Sequence, residues 1–360
     1  MSGLAVDGRA FTSPAGGVRR YVTELYRALA PMVEGGVTAI GAPADVCPPG
    51  VRPLAAGWSA PSTIGWLSTG LPAAARRLHP AVLHAPAYGA PIAPGVPVVL
   101  TLHDVSYARR PEWYPGQLDP VRRWFYRRSA LSAAAILTDS AFSRDEILAA
   151  YPVSADRVHV VPLAAGDAFH ANSAQPRDTH TVLHVGDLHP RRNLTMLLDV
   201  IVALRQHEPA LAGLRLRLVG VDRGCIDDLR HQAAAAGHTD ALHWDGSISE
   251  AALVSAYQSA SVLAYPSRYE GFGLPVLEAM ACGLPVVASD AASIPEVAGE
   301  AGLLVPPTDA RAWADALRAV LGSPARAEAM SGAGRQRASR FSWTRTASES
   351  LAVFRTVGRW

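Results

Sequence analysis

Two glutamates eight residues apart, Glu270 and Glu278, bracket the stretch Glu-Gly-Phe-Gly-Leu-Pro-Val-Leu-Glu. The apolar run before it ends near Tyr265, so residues 270–273 read as a loop that follows a buried strand. Pro275 suits the first turn of a helix, where its missing amide is harmless. Free backbone amides at a helix start make a site for phosphate or another anion. Gly271 and Gly273 let the backbone approach a ligand closely. A carboxylate beside a phosphate repels it, but a carboxylate accepts hydrogen bonds well from paired hydroxyls. Diphosphate on the amides, with sugar and ribose hydroxyls on the two glutamates, is one self-consistent arrangement. The other is structural: Glu270 on a surface loop, and Glu278 placed where the helix dipole favours it.

Three further stretches could do chemistry. Gly186-Asp-Leu-His-Pro-Arg-Arg-Asn193 lies after a strand and before a helix, and could aim Arg191 or Arg192 at a diphosphate. Two adjacent arginines on a loop can equally face solvent. Ser13-Pro-Ala-Gly-Gly-Val18 precedes a helix and is either a phosphate or acceptor nest or a simple turn. His103 follows an apolar strand, where it could donate to a sugar hydroxyl with a neighbour orienting it. No GxGxxG turn, GxSxG elbow, HExxH or Asp-x-Asp motif is present, and the three cysteines have no ligand-like spacing. These absences weigh against a dehydrogenase, a serine hydrolase and a metal requirement.

The 360 residues contain 33 basic side chains, and every one is arginine. Schiff-base chemistry and a P-loop lysine are therefore excluded. A composition bias toward arginine explains this most simply, but it also makes any long cationic donor an arginine. Apolar residues make up 49% and charged residues 18%, a globular profile with room for two domains. The net charge of +2 is too weak a field to argue for nucleic acid. Residues 1–168 hold 15 arginines against 12 acids, and the rest holds 18 against 19. A mildly basic first half is compatible with an anionic substrate or a membrane surface. No apolar run is long enough to span a membrane, and no secretory leader is evident, so the expected location is cytoplasmic, possible contact with the inner membrane face included.

Strand and helix patterns alternate twice along the chain. In the first half, strands are expected over 4–6, 82–84, 98–102, 135–138 and 158–161, with helices over 18–29 and 122–134. Residues 166–177 read as a linker. In the second half, strands are expected over 181–185, 214–219, 242–244, 261–264, 286–288 and 303–305. Helices are expected over 194–207, 250–259, 275–281 and 310–321. The fold class is α/β: two doubly wound Rossmann-like domains facing a central cleft. Their expected bounds are 1–168 (acceptor-binding) and 178–340 (nucleotide-sugar-binding), joined by a 169–177 linker. A closing helix within 341–360 is expected to pack back on the first domain.

The order of these motifs resembles the large retaining glycosyltransferase family 4, with GT-B architecture, in its bacterial mannosyl- and rhamnosyltransferase-like branch. The strongest match is the glutamate pair inside Glu270 to Val287. Further matches are Val6-Asp-Gly-Arg9, Gly16-Gly-Val-Arg-Arg-Tyr21, His103-Asp104, Ser140-Ala-Phe-Ser-Arg144, Pro190-Arg-Arg-Asn-Leu194 and Ser293-Ile-Pro-Glu296. The resemblance implies that Glu270 contacts hydroxyls of the transferred sugar and that the amides of Gly271, Phe272, Gly273 and Leu274 hold sugar and diphosphate. It implies that Glu278 binds the ribose and that His103 donates to the transferred sugar. Gly16 and Gly17 would sit beside the diphosphate or acceptor, and Val221, Gly246, Ser247 and Ile248 near the base. Arg192 would hold the leaving diphosphate. The family usually has lysine there. It often has arginine where this chain has Asp187, next to Gly186, and Arg191 is the candidate substitute.

The implied reaction moves a glycosyl group from a nucleoside diphosphate sugar to a hydroxyl with retention, without metal or cofactor. His103, Glu270 and Arg192 are the candidate catalytic residues. GDP-mannose is the first choice of donor, with UDP- and dTDP-sugars as alternatives. The acceptor is a glycan, a lipid-linked glycan or a small metabolite. Tyr107, Trp66 and Trp124 are candidates to line its site, among the aromatics and arginines around Trp58, Ile64, Leu67, Leu71 and Arg76-Arg77; such residues can equally complete helix faces. Competing readings are a nucleotide-sugar epimerase, a glycosyl phosphorylase and a non-catalytic sugar-nucleotide-binding protein.

Overall fold

A computed structural model describes residues 3–57, 62–114, 120–172 and 174–360. The chain forms two compact units: Met1–Leu163 together with Ser342–Trp360, and Ala164–Phe341. Among the described residues, the first unit holds seven strands: β1 (Leu4–Asp7), β2 (Val37–Ile40), β3 (Val51–Leu54), β4 (Val82–Ala85), β5 (Val98–Thr101), β6 (Ala135–Thr138) and β7 (Val158–Val160). They pair in the order β3-β2-β1-β4-β5-β6-β7, all parallel. The second unit holds β8 (Thr181–Val185), β9 (Arg215–Val219), β10 (Leu242–Trp244), β11 (Val262–Tyr265), β12 (Val286–Ser289) and β13 (Leu303–Val305). Their order is β10-β9-β8-β11-β12-β13, again all parallel.

Both sheets are doubly wound. The strand order reverses beside β1 and β4 in the first and beside β8 and β11 in the second. Parallel sheets of this kind bind ligands outside the carboxyl ends of the strands at that reversal. The central strands are buried along their whole length, apart from Asp7 at the end of β1, which is why they read as short continuous apolar runs. β2 and β3 escaped the sequence reading. β3 is an edge strand carrying Arg52 and Pro53, and proline is tolerated only at such an edge.

Helices cover the sheets with apolar stripes. Gly16–Leu29 buries Val18, Val22, Leu25 and Leu29, and Leu194–His207 buries Leu197, Leu198, Ile201 and Leu204. Each fully buried side chain of this size contributes about 1.5–3 kcal/mol. The closing helix Trp343–Gly358 belongs to the first unit. Thr346 Oγ1 donates to the Pro162 carbonyl at 2.7 Å, and Phe354 packs 5.1 Å from the His84 ring. Residues 166–177 count with the second unit rather than forming a free tether. Phe169 packs on Tyr257, and the Arg177 guanidinium donates to the carbonyls of Ala260 and Gly283 at 3.1 and 2.8 Å. Their polar sequence hides this, because the anchor is an arginine bonding to backbone rather than an apolar stripe.

Candidate active site

In the second unit the loops after β8 and β11 meet. The chain leaves β8 through Gly186 and a single 3-10 turn, Pro190–Arg192, which turns Arg192 back over the strand ends. Arg192 is 7% exposed and Glu270 6%. The Arg192 Nη1 pairs with Glu270 Oε1 and also donates to the Tyr265 hydroxyl. The guanidinium carbon lies 5.2 Å from the centroid of the Tyr265 ring. Burial lowers the Arg192 pKa from its usual value, Tyr265 opposes that, and the Arg191 charge adds to it; the guanidinium still stays charged. Gly186 makes room for this arginine: it has φ +136°, and a Cβ there would stand 3.2 Å from Arg192 Nη2.

Glu270 is held from several sides. Ser267 Oγ donates to its Oε1 at 2.5 Å, and Ser293 Oγ donates to its backbone carbonyl at 2.9 Å. This gives the Ser293-Ile-Pro motif a physical role, since Ile294 also backs the loop. Gly273 caps the helix Leu274–Ala281 at φ +97°, and a Cβ there would come 2.5 Å from Ile294 Cδ1. Glu278 lies within that helix, buried, and accepts from the Tyr257 hydroxyl at 2.8 Å. Val221 follows β9, and Gly246, Ser247 and Ile248 follow β10, so both groups stand at the same carboxyl edge of the sheet. The Leu188 amide donates to the Val221 carbonyl, and the Gly220 amide to that of Gly246. Arg191 is half-buried, and its carbonyl accepts from the Arg268 amide at 2.8 Å. Asp187 pairs with Arg223 at 2.8 Å. The Arg192 Nε is buried without a hydrogen-bond partner, an uncommon state for a strong donor.

In the first unit, His103 follows β5 and Asp139 follows the neighbouring β6. His103 Nδ1 meets Asp139 Oδ2 at 2.8 Å. Burial pushes the His103 pKa down, but the charge of Asp139 and its hydrogen bond push it up, with smaller pushes from Asp104 and the Pro86 carbonyl; the net shift is upward. His103 Nε2 is buried and has no hydrogen-bond partner. The Ser140-Ala-Phe-Ser motif holds this pair in place. Ser140 caps the helix Ala141–Ala150 by accepting from the Ser143 amide, and Ser143 Oγ donates to the His103 carbonyl at 3.0 Å. The Tyr21 ring packs edge-on against His103 with centroids 4.6 Å apart. Asp139 was not among the expected site residues. Its signal is an acid directly after a buried strand, 36 residues from the histidine it contacts.

Gly16 and Gly17 open the helix Gly16–Leu29 and are exposed; a Cβ at either would meet nothing within 4 Å. Packing inside the chain therefore does not account for glycine there. Asp7, at the end of β1, accepts from Trp66 Nε1 at 2.9 Å and from the Arg9 amide at 3.2 Å. Burial outweighs both bonds and pushes its carboxyl up to about 6.

Family models match the sequence of both units. Residues 15–165 match the model described as Glycosyltransferase Family 4, and residues 179–323 match Glycosyl transferases group 1. An O-antigen chain mannosyltransferase B of Escherichia coli is 32% identical over 273 residues, spanning 72% of this chain and 70% of that one. The chain belongs to glycosyltransferase family 4. An MMP alpha-(1->4)-mannosyltransferase of Mycolicibacterium hassiacum is 33% identical, spanning 72% of this chain and 65% of the relative. The solved structure of sucrose-phosphate synthase from Thermosynechococcus elongatus shares the fold, with a TM-score of 0.78, 23% identity and 99% of each chain covered. The architecture of this glycosyltransferase is thus GT-B, built from two Rossmann-like α/β units.

The three acceptor candidates of the glycosyltransferase part company. Trp66 is 2% exposed and donates to Asp7, so it is a core residue of the first unit and not a groove lining. Leu67 and Leu71 are buried with it, and Trp58 lies outside the described residues. Trp124 stands 57% exposed on the helix Pro120–Ser132, beside the exposed Val121 and several arginines. Tyr107 lines a cavity at the carboxyl end of β5. No helix among the described residues is long and apolar enough to cross a membrane.

Proposed function

We propose that this glycosyltransferase moves a mannosyl-type sugar from a nucleoside diphosphate, GDP-mannose first, to a hydroxyl of a glycan acceptor, with retention and without a metal. The observation that carries the reading is the buried Arg192–Glu270 pair at the β8 and β11 carboxyl ends, directly before the helix start at Leu274. A fixed cation and a row of helix-start amides suit a diphosphate, and a carboxylate fixed by Arg192 and Ser267 suits sugar hydroxyls. The two mannosyltransferase relatives support the choice of sugar.

On this reading the bond from the anomeric carbon to the diphosphate breaks, and the acceptor oxygen bonds to the same face. The acceptor proton passes to the departing phosphate. Arg192 and the amides of residues 271–274 stabilise the charge that develops on it. Within the first unit, His103 is the candidate donor to a sugar hydroxyl. Asp139 holds Nδ1, and the raised pKa favours the doubly protonated ring, so Nε2–H is a donor suited to a sugar hydroxyl. A polysaccharide or glycolipid product made at the inner membrane face fits the exposed Val121 and Trp124 among the arginines of the helix Pro120–Ser132.

The test is a thermal-shift panel with free GDP, UDP, dTDP and ADP, followed by transfer assays with the sugar nucleotides of the base that binds. GDP is expected to give the largest shift, and slow hydrolysis of GDP-mannose is expected without acceptor. A larger shift with UDP or dTDP would move the donor to that base. No shift with any of them would sink the reading.

A further inference from the structure

We infer that Tyr265, with His184 stacked against it, is the positioning residue that fixes how the Arg192 guanidinium is turned toward the diphosphate. This rests on the transferase reading and deepens it at the same site. All three residues belong to the second unit: His184 lies in β8, Tyr265 ends the adjacent β11, and Arg192 sits in the turn after β8. His184 and Tyr265 are fully buried. The other residues of β8 are Thr181, Val182, Leu183 and Val185, so the strand needs no histidine to fill its place. A polar ring in a buried parallel strand costs more to bury than an apolar one, and its presence calls for a reason.

Counting protons fixes the role of each group. The Ala264 carbonyl can only accept, so His184 Nδ1 carries the proton and donates to it at 3.0 Å. Nε2 is then a bare lone pair, buried and without a hydrogen-bond partner. Burial first, and the Arg192 charge second, push the His184 pKa down to about 3 against the Ala264 bond, so the ring is neutral. The Tyr265 ring lies on it with centroids 5.4 Å apart and planes within 17°. The Arg192 guanidinium carbon in turn stands 5.2 Å from the Tyr265 centroid. A guanidinium only donates, so the Tyr265 oxygen accepts from Nη1, and Glu270 accepts from the same nitrogen. Both side-chain bonds of Arg192 thus leave from Nη1. The Nε–Nη2 edge runs along Gly186, where a Cβ would stand 3.4 and 3.2 Å from those nitrogens, and Nε has no partner. Anchoring Nη1 leaves that opposite edge, two parallel N–H groups in one plane, as the part of the fork that suits a phosphate. Lysine has no edge to aim, so the need for Tyr265 comes with the arginine.

The test is a set of calorimetric titrations of the full chain with GDP, UDP, guanosine and uridine. Tyr265→Phe keeps the ring and the stack but loses the acceptor for Nη1. It should weaken the nucleoside diphosphate that the wild type binds by about tenfold and leave the matching nucleoside within about twofold. His184→Asn keeps a donor for the Ala264 carbonyl and removes the stacked ring. It should weaken the diphosphate by about fivefold in the same pattern, and it carries the test independently of the tyrosine. A double-mutant cycle separates positioning from packing: in an Arg192→Lys background, Tyr265→Phe should cost about twofold or less. The assignment is overturned if both variants leave diphosphate binding unchanged, if nucleoside and diphosphate weaken alike, or if Tyr265→Phe costs the same in both backgrounds. A wild type that binds neither GDP nor UDP sinks the transferase reading and this assignment with it, whereas full diphosphate binding in both variants sinks this assignment alone.

Discussion

His103 with Asp139 in the first unit and Arg192 with Glu270 in the second both lie just past the carboxyl ends of adjacent parallel strands, the second pair at the strand-order reversal. Each pair is largely buried, and each leaves one ring or guanidinium nitrogen buried without a partner. They differ in what pH can do to them. The imidazole can lose its proton as pH rises through its raised pKa, so its donor is conditional. The guanidinium keeps its charge at any working pH. One fold thus presents a switchable donor at one sheet edge and a permanent cation at the other. On the proposed reading a diphosphate suits the permanent one, because it is anionic in the bound donor and gains further charge as it leaves.

The largest expected effect comes from breaking the permanent pair. Glu270→Gln leaves the Arg192 charge buried and unmatched, which should lower stability by about 3 kcal/mol, read from urea unfolding, and abolish transfer. Unchanged stability would mean that the pair is solvated and weak. Next is the switchable pair. Asp139→Asn should cut transfer about 100-fold. His103 has a raised folded pKa, so its stabilisation is complete below about 6.5 and is lost as pH rises through the raised value. Wild-type thermal stability should therefore fall on the alkaline side of that window, and Asp139→Asn should lose the slope. An identical slope in both would show that the pair carries no linked proton.

Arg192→Lys sharpens the comparison by making the second centre titratable. It removes the planar fork, so diphosphate ligands should bind about tenfold more weakly while the free nucleoside is unaffected, and donor binding should become pH-dependent. Equal binding of both variants across pH would make the arginine a passive replacement. The smallest effect is expected at Glu278. Glu278→Gln should weaken donor binding by about fivefold and leave acceptor binding alone. Equal loss toward both, measured by titration, would remove its assignment to the ribose and leave it a helix residue held by Tyr257.

Much of the second unit was legible before any coordinates. The strands 181–185, 242–244 and 303–305 and the helices 194–207, 250–259 and 310–321 stand where apolar periodicity placed them. The helix Pro324–Ala338 was missed because it turns small residues inward, Ser331, Gly334 and Ala338, and small residues leave no apolar stripe. The first unit was harder. Its edge strand β3 carries a proline, and Trp66 looks like a groove residue until its buried indole N–H is seen to donate to Asp7. Asp139 carried no motif of its own, because its partner is one strand away in space and far away in sequence.

The sequence by itself determined the chemistry available: arginine as the sole long cation, two glutamates at a helix start, a histidine at a strand end, and the alternation that forces two parallel sheets. These follow from residue type and local spacing, which a chain carries wherever it folds. Only the tertiary structure decided which groups share a proton or a charge. Arg192 meets Glu270, His103 meets Asp139, and four tyrosines from separate segments close around Asp104. The reason is physical: adjacent parallel strands are joined by long crossovers, so the loops that meet at their carboxyl ends are remote in sequence, and only sheet order brings them together.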